Sequence, residues 1–259
     1  MPDYAIELHN VGVAAIEVGS TGLALDVLKV ALDAKLSEMS TNETSDAVVD
    51  EEFQQQSLQN ARFQLSQLVH STKQGEETTT ASSKPDSRTM NRQDAVYIYQ
   101  RPIALPVNVY REEDDANDDE ESSTSNSAVE SATMLYNIAL VYHSRGLSEQ
   151  NGVFIQKALS FYKMSLELVK DVLNDASPGA QGAAAMVDSR LVMAVLNNLG
   201  QIYHVLGQFN ASKDLFNHLS RILVSMCVSG DNLCVDGSDW AGLVLNTMIM
   251  HDTKVAPAA

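Results

Sequence analysis

Only two cysteines, Cys227 and Cys234, occur in the 259 residues, and they stand on either side of a short turn-rich stretch. In a reducing compartment such a pair is expected as free thiols rather than a bridge. The Asn-x-Ser/Thr triplets at Asn42 and Asn210 then carry no meaning as glycosylation sites. Basic residues are scarce, 17 against 34 acids for a net charge of −17, so nucleic acid and acidic membranes, which need clustered Lys and Arg, are excluded as main partners. No apolar run reaches the roughly 18 residues of a membrane span, and the first residues lack a basic-then-apolar leader pattern. The chain is therefore expected inside the cell, in the cytoplasm. Also missing are a Gly-rich phosphate loop, a nucleophile elbow, and any His-x-Glu or Cys-x-x-Cys ligand pair, so neither an enzyme nor a cofactor is expected.

What the sequence does contain is a near-repetition of itself. Leu135-Tyr-Asn-Ile-Ala-Leu-Val-Tyr-His-Ser-Arg-Gly146 returns 61 residues later as Leu196-Asn-Asn-Leu-Gly-Gln-Ile-Tyr-His-Val-Leu-Gly207. A fainter copy, Leu8-His-Asn-Val-Gly-Val-Ala-Ala-Ile-Glu-Val-Gly19, lies 127 residues before Leu135. The two clearer copies have a small residue, Ala139 or Gly200, four positions before His143 or His204, on the face where a missing side chain admits a paired helix. Gly146 and Gly207 are expected to end their helices in left-handed caps. A second apolar stripe at helical spacing then follows: Ala24, Leu28 and Ala31; Ile155, Ala158, Leu159, Tyr162, Leu166 and Val169; Leu215, Phe216, Leu219 and Leu223. Each copy reads as a helical hairpin.

The offsets Leu196-x2-Leu199-Gly200-x2-Tyr203 followed by Gly207, Ser212 and Phe216 resemble the tetratricopeptide repeat (TPR), and the Leu-Asn-Asn-Leu-Gly string resembles repeats of the kinesin-light-chain type. The second copy, with Leu135, Ile138, Ala139, Tyr142, Gly146, Ala158 and Tyr162, and the first, with Leu8, Val11, Gly12, Ala15, Gly19, Ala24 and Leu28, follow the same frame. The signature Trp is Leu in all three, and no Pro closes a repeat. The resemblance covers roughly residues 3–37 and 128–228. It implies an all-α fold of antiparallel helical hairpins stacked in a short right-handed solenoid, with hairpins at 3–37, 128–175 and 184–228.

Between the first two hairpins, residues 38–127 turn polar and include the run Glu112-Glu-Asp-Asp-Ala-Asn-Asp-Asp-Glu-Glu121. That composition buries too little apolar surface to offset chain entropy and is expected as a disordered acidic insert, without the glycine or spacing of a calcium loop. Two islands stand out. Phe53, Leu58, Ala61, Leu65 and Leu68 have helical spacing over 50–70. Residues 95–110 are rich in β-branched and aromatic residues, with prolines that forbid helix and leave an extended path, ordered only where something binds it. Ser127 with Glu130 reads as a capping box for the second hairpin, Ser177-Pro-Gly and Gly182 as a loop. A helix at 239–250, with Trp240, Leu243, Leu245 and Met248, is expected to cap the array.

Stacked repeats are recognition surfaces, so the implied function is a protein-protein interaction module, an adaptor or scaffold binding a peptide or protein segment in its concave groove. The other open reading is a structural or self-associating subunit, a homo-oligomer with no dedicated peptide ligand. Asn10, Asn137 and Asn198 hold one place in all three copies, which in the resembling families faces the groove. A side-chain amide there can donate to a carbonyl and accept from an N–H of one extended peptide. Alternatively each Asn fixes the stack. Tyr136, Asn197, Leu140, Gln201, His143 and His204 complete the expected face. The two histidines do not read as metal ligands, since the first copy has Ile16 there and no Cys or carboxylate accompanies them. Ala194 and Asn198 stand where chaperone-tail binders carry Lys and Arg. The segment 95–110, tethered within reach, is expected to compete for the groove and mask it intramolecularly.

Overall fold

The computed structural model describes residues 3–41, 51–76, 97–107, 120–175, 189–229 and 235–252. Among them are eight helices and no strand: α1 Tyr4–Glu17, α2 Thr21–Thr41, α3 Glu51–Glu76, α4 Glu120–Ser148, α5 Gly152–Asp175, α6 Ser189–Val205, α7 Phe209–Ser229 and α8 Gly237–Asp252. The fold is all-α, as the two apolar stripes of each repeat require. The Ser177–Gly182 loop, Cys234 and most of the acidic run lie outside the described residues. No helix among the described residues is long and apolar enough to cross a membrane. The chain divides into two compact units, Met1–Ala95 with Pro102–Val141, and Val96–Arg101 with Tyr142–Ala259.

In the first unit α1 and α2 form the expected hairpin. Asp3 caps α1, its carboxylate accepting from the Ile6 N–H at 3.2 Å. The turn after α1 puts Gly19 at φ +79° and returns the Ser20 N–H to the Ala15 carbonyl at 2.8 Å, the bond that closes a helix when the residue beyond it is left-handed. Gly12 lets Leu28 of α2 close in, for a Cβ there would stand 2.6 Å from the Leu28 Cγ. Ala5, Ile6, Leu8 and Val11 of α1 form one core with Val27 and Ala31 of α2, Leu58 and Ala61 of α3, Leu105, and Met134 of α4.

The 38–127 stretch is thus not wholly the disordered insert its composition implied. Leu58, Ala61 and Leu65 give α3 an apolar stripe that α1 buries, while Leu68 of the expected stripe is exposed and the Phe53 side chain lies outside the described residues. The capping box also needs correction, since α4 starts at Glu120 and Ser127 lies inside it. Glu130 instead meets the Lys35 ammonium at 2.7 Å, and Asp3 meets the same nitrogen at 3.0 Å. Burial disfavours the Lys35 charge, but Glu130 and Asp3 outweigh it and hold its pKa above the ordinary lysine value.

The second unit holds the end of α4 and α5–α8. Gly207 adopts φ +73° and the Gln208 N–H returns to the Tyr203 carbonyl at 2.8 Å, as expected of a left-handed cap. Gly146 does not behave this way. The α4 helix runs one turn further, Gln150 takes the left-handed conformation at φ 51°, and the Asn151 N–H returns to the Gly146 carbonyl at 2.9 Å. Glycine at 146 serves packing instead, because a Cβ there would stand 2.6 Å from the Ile155 Cδ1. Gly200 does the same for Phe216, 2.8 Å from such a Cβ, while the Ser212 hydroxyl donates to the Gly200 carbonyl at 2.7 Å.

The closing helix, α8, buries Leu243 and half-buries Trp240 as expected, but the rest of its buried face differs from the expected one. Leu245 and Met248 are exposed, and Asp239, Leu243, Asn246 and Thr247 are buried at three- and four-residue spacing. An apolar cap alone does not call for that polar set.

The Gly200–Phe216 contact makes a reciprocal test. Phe216→Ala is expected to cost about 3–5 kcal/mol and Gly200→Val about 1–3 kcal/mol in urea unfolding followed by helical circular dichroism. The double variant should be more stable than the sum of the two losses implies. Strict additivity would show that the ring and the glycine do not oppose one another.

Candidate functional site

Residues 97–107 form an extended segment with neither helix nor strand, and the asparagines meet its backbone groups. In the first unit the Leu105 N–H donates to Asn10 Oδ1 at 2.9 Å, and Asn10 Nδ2 donates to the Leu105 carbonyl at 2.8 Å. Asn137 treats Ile103 alike, at 3.0 Å from the N–H and 2.8 Å to the carbonyl. In the second unit Asn198 holds both groups of Tyr99, at 3.0 and 2.9 Å. Asn246 holds both groups of Tyr97, at 2.8 and 2.6 Å. An extended residue points its N–H and C=O to one side and the next residue points them to the other, so a single amide can pair with one residue and skip the next. The residues held are 97, 99, 103 and 105; Pro102 and Pro106, which have no N–H, fall on the skipped positions.

Further bonds lock the amides. The Ile103 N–H fixes which end of the Asn137 amide is oxygen, so the Asn137 Nδ2 that lies 2.8 Å from His9 Nε2 is a donor and that ring nitrogen an acceptor. The His9 proton therefore sits on Nδ1, 3.3 Å from Asn10 Oδ1, and the neutral ring bridges both amides of the first unit. Burial drives the His9 pKa down to about 4, against an opposing hydrogen bond to Asn10. In the second unit Asn198 Nδ2 also donates to the Tyr162 hydroxyl at 3.0 Å, and Asn246 Nδ2 to Asn197 Oδ1 at 2.7 Å. Asn197 Nδ2 donates to the Tyr97 carbonyl at 3.0 Å.

The face expected from the repeats is therefore divided in its chemistry. Asn10 and Asn137 meet the segment in the first unit, Asn197 and Asn198 in the second. Tyr136 and Leu140 are buried. Gln201 is buried with Oε1 lacking a hydrogen-bond partner among the described residues. His143 is buried edge-on to Tyr162, its Nδ1 likewise without a partner, and burial lowers its pKa to about 4. The His204 ring lies edge-on to Phe209. Among the described residues no group of three or more His, Cys, Asp or Glu side chains is gathered as a metal site.

Three contributors were not anticipated. Asn246 lies in α8, outside the repeat frame; a lone asparagine on an apolar helix is its only signal in the sequence. His9 shares its place in the repeat with Tyr136 and Asn197 of the expected face, and that shared place is its signal in the sequence. Asp239 receives the Tyr97 hydroxyl and, through its other oxygen, Arg101, whose guanidinium also reaches Asp236. Burial first, then the bond to Asp239, pushes the Tyr97 phenol above its ordinary pKa. Comparison with known proteins finds no matching family model, no matching curated protein and no matching solved structure.

The two buried imidazoles set a pH dependence. Their folded pKa values, about 4, lie below the ordinary 6.5, so the unfolded chain binds protons in this window and the folded chain does not. Their contribution is complete above about pH 6.5 and is lost as pH falls toward about 4, by up to about 3 kcal/mol per imidazole. Urea midpoints measured across that range should drop, and His143→Phe should flatten part of the fall. A flat profile in the native chain would show that neither ring is buried neutral.

Proposed function

We propose that this chain is a protein-protein interaction module: TPR-like hairpins, stacked as a short right-handed solenoid, that grip the main chain of an extended peptide or protein segment through asparagines. One observation carries the reading. Asn10, Asn137, Asn198 and Asn246 each bond both the N–H and the C=O of one residue in the segment 97–105. Such contacts supply affinity with little regard to side chains, which is the chemistry of recognising an unfolded stretch. The chain's own segment is the resident occupant and masks the face. A partner's peptide must displace it, helped by any modification in the neighbouring acidic run that weakens the tethered contact. An adaptor or scaffold working in the cytoplasm, rather than a catalyst, fits these features.

A second reading, a structural subunit in which 97–105 is a permanent part of the core, has its own support: Leu105 belongs to the core of the first unit, and Tyr99 and Ile103 are buried. Hydrogen exchange separates the two. Amides of Tyr97, Tyr99, Ile103 and Leu105 are expected to exchange through a local opening of lower free energy than the α6 amides. Exchange only through global unfolding would favour the permanent role.

Binding gives the direct check. A chain whose residues 97–105 are replaced by Gly and Ser should take up a synthetic peptide spanning 95–107. Asn137→Ala with Asn198→Ala should weaken that uptake by about 1–3 kcal/mol, the scale for buried polar groups losing partners, with helicity kept. Failure of the folded host to bind the peptide at all would sink the interaction reading.

A further inference from the structure

Asparagine amides grip a main chain without regard to sequence, yet in the second unit the occupant's side chains are read as well. The Tyr97 ring lies over Gly242 of α8, where a Cβ would overlap it. Its hydroxyl donates to one oxygen of Asp239, and the other oxygen of that buried carboxylate pairs with Arg101 Nε. Arg101 Nη1 pairs with Asp236, 64% of whose side chain is exposed. Residues 97 and 101 are four apart on an extended chain, about 13 Å, and lie on the same face. Their side chains converge on Asp239 only because both are long. Tyr99 stands between them, 4% exposed, its main chain held by Asn198.

This arrangement is more than a satisfied backbone. The carboxylate pair meets a guanidinium through two different nitrogens, a fork that an ammonium does not reproduce, and an acidic residue at the same place would set three carboxylates together. Glycine at 242 is the only residue that admits a ring there without moving the helix. Both features act on side chains of the occupant, and neither is needed to hold its main chain.

We infer that the face formed by α6 and α8 in the second unit is a specificity site for an external extended peptide carrying the pattern Tyr-x-Tyr-x-Arg, with Asp236, Asp239 and Gly242 as its specificity-determining residues. The inference deepens the proposed interaction role and rests on it. The resident 97–101 segment is then an internal copy of the partner's own motif. A partner is selected by how well its aromatic and guanidinium groups replace those of Tyr97 and Arg101. Acidic peptides are rejected.

The test uses the full chain carrying Tyr97→Ala, Tyr99→Ala and Arg101→Ala, so that its own segment fills the site poorly. Two fluorescent peptides spanning residues 95–105 are titrated by anisotropy, one with the native sequence and one with Arg101→Glu. The native peptide should bind at least about tenfold tighter, and a Lys form should fall between them. Asp236→Asn with Asp239→Asn in the host should shrink the gap to about twofold, and Asp236→Asn alone, at the exposed carboxylate, should shrink it partly. Gly242→Ala should weaken both peptides together. Equal binding of the two peptides would overturn the specificity site while leaving the main-chain grip standing. Binding of neither would remove the reading beneath it as well. If the triple variant loses helicity, replacement of 97–101 by Gly and Ser provides the second host, with the same outcomes.

Discussion

The primary amide of asparagine carries a donor and an acceptor at the spacing of a backbone N–H and C=O, and the rest of this structure is arranged around that match. Asn137, Asn197, Asn198 and Asn246 are fully buried. A buried amide without partners costs more than a made hydrogen bond contributes, so these positions are tolerable only while something extended lies against them. The same argument applies to the occupant. Tyr97, Tyr99, Ile103 and Leu105 form neither helix nor sheet with their own neighbours, and their backbone groups are satisfied by side chains brought from helices far away in sequence. Each side solves the other's problem, and neither is stable in this form alone. Water or another peptide must replace the segment wherever it leaves.

Helix packing sets up that match. Gly12, Gly146 and Gly200 let the second helix of each hairpin approach to where any Cβ would collide, which fixes the rotation of the first helix about its axis. With the rotation fixed, an asparagine two residues before Gly12 or Gly200 is aimed consistently. In the first unit the Lys35 ammonium, with Asp3 and Glu130 around it, ties α2 to the cap of α1 and to α4, so the helices bearing Asn10 and Asn137 share one anchor. His9 then couples the two amides directly.

The hairpins were legible because periodicity and small residues report local packing. The shared place of Asn10, Asn137 and Asn198 was legible for the same reason, and so was the extended character of 95–110, from its prolines. Less legible was anything that depends on distant partners. The burial of α3 rests on α1, the longer α4 on Gln150 adopting a left-handed turn that glycine usually supplies, and the polar face of α8 on a segment roughly 140 residues earlier. Asn246 belongs to no repeat, so no internal comparison could single it out. Ser127 and Glu130 formed a sound local signal, but the helix begins at Glu120, which puts Ser127 inside it, and Glu130 pairs with Lys35 instead.

The prolines carry one more consequence. Asn137 and Asn10 each require an N–H from the residue they hold, now Ile103 and Leu105. Sliding the segment by one residue in one direction would set Pro106 against Asn10, and in the other direction Pro102 against Asn137. Either slip takes a backbone donor from an amide oxygen: that of buried Asn137 is left with none, and that of half-buried Asn10 keeps only the His9 Nδ1–H. A slip of two residues meets no such barrier. The segment is thus locked in phase but not in position: like a notched strip in a ratchet of step two, it can be misplaced only by whole notches, and the side chains must choose which notch.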